Sequence, residues 1–177
     1  MSAHVVGPGH GVGARCRAAL TAEGVALADT PAGCDIVVAY GGDPTGSRTV
    51  LGDDSLDQLR AGFDGVVHAV SAYREALPTM VERGWGRFVW VGSALAKSID
   101  ADDDEVDAVA TLAIMGLHKV ITGEESPNNV TANTVLRGGT VSDDDVAAAV
   151  AFLCSRGAGY LSGVTITVDG GAGSAVF

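Results

Sequence analysis

At 177 residues the chain is long enough to bury a sizeable core and too short for two ordinary domains. Its formal charge of −11, from 22 acidic and 11 basic side chains, argues against nucleic acid or an anionic membrane surface as partner, because such binding depends on clustered Lys and Arg. Nearly half of the residues are apolar, only 5% are aromatic and 25 are glycine, a composition that suits an α/β domain better than a β-sandwich.

Residues 3–6 (Ala-His-Val-Val) form a short apolar strand running into Gly7-Pro8-Gly9-His10-Gly11-Val12-Gly13, after which 14–23 carry helical periodicity. Gly24 stops that helix, 25–28 reads as a second strand ended by Asp29, and 34–40 reads as a third, apolar in the manner of a strand buried on both faces. A turn-rich segment over 41–52 leads to Asp53-Asp54-Ser55, which supply N-cap chemistry for a long helix over 56–83, with Gly84 as its stop. A strand over 86–92 and an acidic loop over 97–105 follow. The helix expected over 106–123 is nearly all apolar and must be covered on most sides. A strand over 130–136, a helix over 143–155 capped by Ser142 and a last strand over 163–168 complete the chain. Strands alternating with helices imply parallel pairing and right-handed crossovers, hence one α/β domain over 1–177: a Rossmann-like, doubly wound sheet in three α/β/α layers.

No apolar run approaches the ~20 residues that span a bilayer, and the first residues lack the basic-then-apolar pattern of an export signal, so a cytoplasmic protein without membrane contact is expected. Cys16, Cys34 and Cys154 are isolated, with neither the C-x-x-C spacing of a zinc or redox site nor the even count of a disulfide framework, and read as small core residues.

Gly7, Gly11 and Gly13, spaced G-x-x-x-G-x-G between a strand and a helix, permit a tight turn and close backbone approach. The helix that follows presents free N–H groups and a positive dipole end to a pyrophosphate. Asp29, at the end of the next strand, could accept hydrogen bonds from a ribose diol and repel a 2′-phosphate, favouring NAD over NADP. The alternative is a glycine turn kept for packing.

The glycine loop, the stretch Gly86-Arg87-Phe88-Val89-Trp90-Val91-Gly92-Ser93, the run Asn129-Val130-Thr131-Ala132-Asn133 and the ending Tyr160-Leu161-Ser162-Gly163 with Val168-Asp169-Gly170-Gly171 together resemble the short-chain dehydrogenase/reductase family. The resemblance covers nearly the whole chain. It implies an NAD(P)-dependent oxidoreductase in which a tyrosine acts as general acid/base, a lysine four residues later lowers its pKa and holds the ribose, a serine positions the carbonyl and an asparagine supports the lysine. Ser93 stands in the serine position. Counting back from Gly116-Leu117 places Asp107 at the tyrosine position and Thr111 at the lysine position; counting back from Ser93 places Gly65, beside Asp64, at the asparagine position. A carboxylate is ionised at neutral pH and cannot donate to a carbonyl unless its pKa is raised greatly, and threonine brings no charge. The family's Asn-Asn-Ala-Gly turn appears as Ala39-Tyr40-Gly41-Gly42. Where the family has a helix and a strand after the second strand, only 30–33 stand here, so the sheet should lack an edge strand. After Arg137-Gly138-Gly139-Thr140 the chain goes directly to the helix capped by Ser142, so no substrate-covering lid is expected.

Without a fixed base, Ser93 reads as structural, adjacent His118 and Lys119 as a satisfied helix end, and Asp102-Asp103-Asp104-Glu105 as a solvated loop rather than a metal site. The resemblance implies assembly through the helices at 56–83 and 106–123 and through the last helix and strand. Ala108, Ala110, Leu112, Ala113, Met115 and Gly116 are small or flexible enough for close helix packing. The leading expectation is a non-catalytic subunit, with weak NAD binding or none, that assembles with itself or with a full-length family member. Its rivals are a non-redox enzyme (isomerase, dehydratase or cyclase) using Ser93, Asp107 or Asp64 in the opened pocket, a domain that senses NAD without reacting, and ordinary hydride transfer, the reading least supported by the residues.

Overall fold

A computed structural model of the chain describes residues 1–7, 9–41, 55–97, 105–138 and 140–172. Six strands, β1 (Ser2–Val5), β2 (Ala26–Leu27), β3 (Ile36–Tyr40), β4 (Gly86–Ser93), β5 (Val130–Arg137) and β6 (Thr165–Val168), pair in parallel in the order β2-β1-β3-β4-β5-β6. Helices α1 (Gly11–Ala22), α2 (Ser55–Arg83), α3 (Glu105–Glu125) and α4 (Asp143–Cys154) connect them, except that β2 passes to β3 with no helix. β2 is therefore the edge of the sheet, as the shortness of the 30–33 segment predicts.

The central strands β4 and β5 pair residue for residue along their full length and are buried at every position but the last. Such strands must be apolar on both faces, and alternation divides them between two cores. Val89 and Val91 join Val5 and Val38 under α1 and α4, which supply Val12, Cys16, Leu20, Val146, Val150 and Leu153. Phe88 and Trp90 join Val37 and Ala39 under α2 and α3, which supply Ala69, Tyr73, Ala76, Met80 and Ile114.

Helix ends follow the local chemistry. Gly24 and Gly84 adopt φ of +76° and +62°. In each case the glycine N–H and the next one close a Schellman motif: Gly24 N to Thr21 O with Val25 N to Leu20 O, and Gly84 N to Val81 O with Trp85 N to Met80 O. Ser142 Oγ accepts from the Asp145 N–H at 3.2 Å and caps α4. The cap expected from Asp53 and Asp54 lies outside the described residues.

Several strand boundaries are tighter than the sequence suggests. Cys34 and Asp35 precede β3 because the Asp35 carboxylate accepts from the Ser2 N–H at 2.9 Å and pairs with Arg83, tying the end of α2 to the foot of the sheet. β6 starts at Thr165 because Gly163 turns at φ +70° and the buried Asn133 side chain holds the approach, donating to Leu161 O at 2.8 Å and accepting from Val164 N at 3.1 Å. β2 is confined to two residues opposite Ser2 and Ala3. All three cysteines are unpaired and buried.

At 21 residues α3 is long and apolar enough to cross a bilayer, which corrects the expectation that no run approaches that length. In the fold it lies on the sheet, with Val106, Ala110, Ile114 and His118 buried. His118 is the polar link of that face: its Nε2 pairs with Tyr73 Oη on α2 at 3.2 Å and its Nδ1 with Thr134 Oγ1 on β5 at 3.1 Å. Both ring nitrogens are thus satisfied without water, and the Tyr73 ring stacks on Phe88 at 4.3 Å.

Burial pushes the His118 pKa down from 6.5 to about 3. The folded chain therefore refuses a proton that the unfolded chain accepts below about pH 6.5, so this contribution to stability is present above that pH and is lost as pH falls toward about 3, by up to about 1.4 kcal/mol per pH unit. Unfolding midpoints measured from pH 7 to pH 4.5 are expected to fall, and His118→Gln to flatten the slope; an unchanged slope in that variant would show that the titration belongs elsewhere.

Candidate functional site

In an open parallel sheet the natural binding crevice lies at the carboxyl ends of the strands where the connections diverge. Here that point is between β1, which leads to α1 on one face, and β3, which leads to α2 on the other. The glycine loop forms one side of the crevice. Gly7 is exposed at φ +108°, Gly11 opens α1 at φ +57° and Gly13 is buried. Arg17 Nη2 donates to Val5 O at 2.7 Å and Gly7 O at 3.1 Å, bracing the start of the loop. Asp29 is exposed beyond β2, which ends opposite Ala3, and it makes no hydrogen bond or ion pair among the described residues.

Tyr40 and Gly41, at the end of β3, form the other side. The Tyr40 ring lies directly against Gly7: a Cβ built there would sit 2.9 Å from Cζ and 3.0 Å from Oη.

Toward β4, the structure gathers the residues singled out by spacing. Ser93 ends β4, and its Oγ accepts from the Leu95 N–H at 3.2 Å, capping the short turn Ala94–Ala96. Its own N–H donates to Thr111 Oγ1 at 3.3 Å. Asp107 and Thr111 are both buried on the first turns of α3. Asp64, offered as an alternative acid or base, is instead exposed on α2, while its neighbour Gly65 faces the sheet.

The residue that sequence reasoning missed is Trp90. Its indole is fully buried and fills the space among three glycines. Cζ2 is 3.5 Å from a Cβ built on Gly41, Cη2 is 3.9 Å from one on Gly65 and Nε1 is 2.6 Å from one on Gly92. A Cβ on Gly41 would also collide with Asp107 Oδ1, and one on Gly92 with Thr111 Oγ1. Trp90 Nε1 has no hydrogen-bond partner among the described residues. The available signal was a strand period: residues 90 and 92 share a face, so a tryptophan beside a glycine marks one large volume and one gap.

The chain has two lysines, and both are engaged elsewhere. Lys97 Nζ donates to Thr167 Oγ1 on β6, and Lys119 Nζ to Gly163 O at 2.7 Å. No tyrosine is followed by a lysine four positions on; Pro44, Leu77 and Val164 stand there. Among the described residues no cluster of His, Cys, Asp and Glu could hold a metal, and the acidic run 102–104 lies outside them.

The chain is 30% identical to a 3-oxoacyl-acyl-carrier-protein reductase of Rickettsia conorii over 55% of its length and 51% of the relative's. It is 27% identical to an uncharacterized oxidoreductase of Mycobacterium tuberculosis over 89% of its length and 70% of the relative's. A variant of a Serratia marcescens short-chain dehydrogenase/reductase superposes with a TM-score of 0.82 and 26% identity over 96% of both chains. In sequence and in fold the chain is thus similar to short-chain dehydrogenase/reductases. No family model matches it, and it spans about half the length of the first curated relatives that it matches.

The dinucleotide that this likeness implies would lie across this crevice, and the described residues there do not fit it. Tyr40 covers Gly7 on the nucleotide side, and Trp90 fills the space among Gly41, Gly65 and Gly92 on the other.

Two substitutions test this packing. Gly92→Ala forces a methyl group into Thr111 and Trp90 and is expected to cost about 1–3 kcal/mol. Thr111→Val keeps the shape but removes the acceptor of the Ser93 N–H, for a loss of about 1–3 kcal/mol. Urea unfolding reads both, and wild-type stability in Gly92→Ala would show that the indole does not pack there.

Proposed function

We propose that this chain is a non-catalytic short-chain dehydrogenase/reductase subunit that assembles with a complete family member or with itself and transfers no hydride on its own. The observation that carries this reading is the set of contacts around Trp90. The positions matched to the family's tyrosine and lysine hold the Asp107 carboxylate and the Thr111 hydroxyl, and the indole takes up the room beside them. The Thr111 hydroxyl accepts from the Ser93 amide and brings no positive charge. A phenol poised by a neighbouring ammonium has no counterpart, since both lysines are engaged near β6.

The outer face of α3 supports the assembly part of the reading. Leu112, Gly116 and Val120 recur at helical spacing beside Ala113, all exposed, and Val67 is exposed on α2. A contiguous apolar face of this kind marks an interaction surface. Ala108 and Ala110, counted among the packing residues by sequence, instead face the subunit's own core. Phe152 on α4 and Tyr160 before β6 offer a second exposed apolar site. A cytoplasmic location belongs to the same reading and accords with three unpaired thiols.

The deciding experiment is light scattering on the chain purified alone and after co-expression with a full-length short-chain dehydrogenase/reductase. A stable homo-oligomer or heteromer is expected, together with loss of assembly in Gly116→Arg and Val120→Arg at unchanged folding. A monomer under both conditions, or consumption of NADPH by the isolated chain with 3-oxoacyl thioesters, would overturn the proposal.

A further inference from the structure

The contact between Tyr40 and Gly7 extends beyond the question of catalysis. A glycine loop binds a nucleotide because it offers bare backbone: with no side chain over the α-carbon, ribose and phosphate can approach the N–H groups at the start of the following helix. In this chain the bare surface is covered from within. Tyr40 is the last residue of β3, at the point where the connections from β1 and β3 diverge, and its Cζ, Cε1 and Oη all lie within 3.0 Å of the position that a Gly7 Cβ would take. The ring thus lies over the Gly7 α-carbon, on the side a Cβ would take.

The ring is also anchored. Tyr40 packs against the core beneath α1 and α4, so it is held on the glycine-loop side of the sheet. Arg17 fixes the same turn from below through Val5 O and Gly7 O. Ligand and phenol thus compete for one space, and a nucleotide can enter only by displacing a packed aromatic ring.

We propose that Tyr40 is an internal plug of the dinucleotide crevice, its ring standing where the adenosine ribose-phosphate of a nucleotide would lie over Gly7. This concerns nucleotide binding alone and holds whatever the chain assembles with. Removing the ring opens the adenosine half of the crevice, while the half filled by Trp90 stays closed. A dinucleotide should then gain no more than its adenosine diphosphate portion does.

The test is calorimetric titration of the full chain with NAD and with ADP-ribose. The wild type is expected to show no binding tighter than roughly millimolar. Tyr40→Ala should bind ADP-ribose at least about tenfold more tightly than the wild type, with NAD equal to ADP-ribose within about threefold. Tyr40→Phe, which keeps the ring, should behave as wild type. Melting curves confirm that each variant is folded, and Tyr40→Asn replaces the alanine variant should that one unfold. Micromolar NAD binding by the wild type, folded ring-less variants that gain nothing, or a Tyr40→Phe protein as open as Tyr40→Ala would each overturn the proposal. None of these results bears on the oligomeric state, so the failure of this idea and that of the subunit reading are separable.

Discussion

A parallel sheet whose middle strands are buried on both faces must be roofed twice, and the rest of this fold follows from that requirement. β4 and β5, paired over eight residues, are the beam that both roofs rest on. The roof of α1 and α4 is secured by apolar packing. The roof of α2 and α3 adds a hydrogen-bonded chain from Tyr73 through His118 to Thr134, which fixes helix to helix and helix to strand at once. A buried polar chain is stabilising only when every member is satisfied, and this one is complete at both ring nitrogens.

At the carboxyl ends of the same strands, side chains are closely packed. A dehydrogenase site needs solvent-free space lined with donors that act only when substrate arrives. Here the space holds an indole, and the backbone around it is glycine at positions 41, 65 and 92. The hydroxyls of Ser93 and Thr111 each accept a hydrogen bond from a backbone amide. Fold and site are separable: the framework shared with a short-chain dehydrogenase/reductase carries a buried indole beside these strand ends.

Helix limits were legible because they depend on neighbouring residues: Gly24, Gly84 and Ser142 act through bonds three to five positions away. The long strands were legible from apolar runs, and the loss of an edge strand from the brevity of 30–33. Asp35 looked like part of a strand because nothing local reveals that its carboxylate is claimed by Ser2 and by Arg83, 48 residues on. The grouping of Ser93 with Thr111 was legible through family spacing. Trp90 and Tyr40 were not, since which way a strand residue points at a strand's end, and what it meets, depends on register with strands far away in sequence. The same limit applies on α3, where an apolar composition cannot say that Ala108 and Ala110 face inward while Leu112 and Ala113 face outward.

The unpaired thiols carry a practical consequence. Cys16 on α1 and Cys154 on α4 sit in the core shared by these helices, and burial pushes the Cys16 thiol up to about 12 and the Cys154 thiol further still. A covered thiol that stays protonated is inert toward electrophiles, so its labelling waits for the chain to open. The rate at which these two sulfurs take up an alkylating reagent is then a clock for the separation of α1 from α4, already installed in the native sequence.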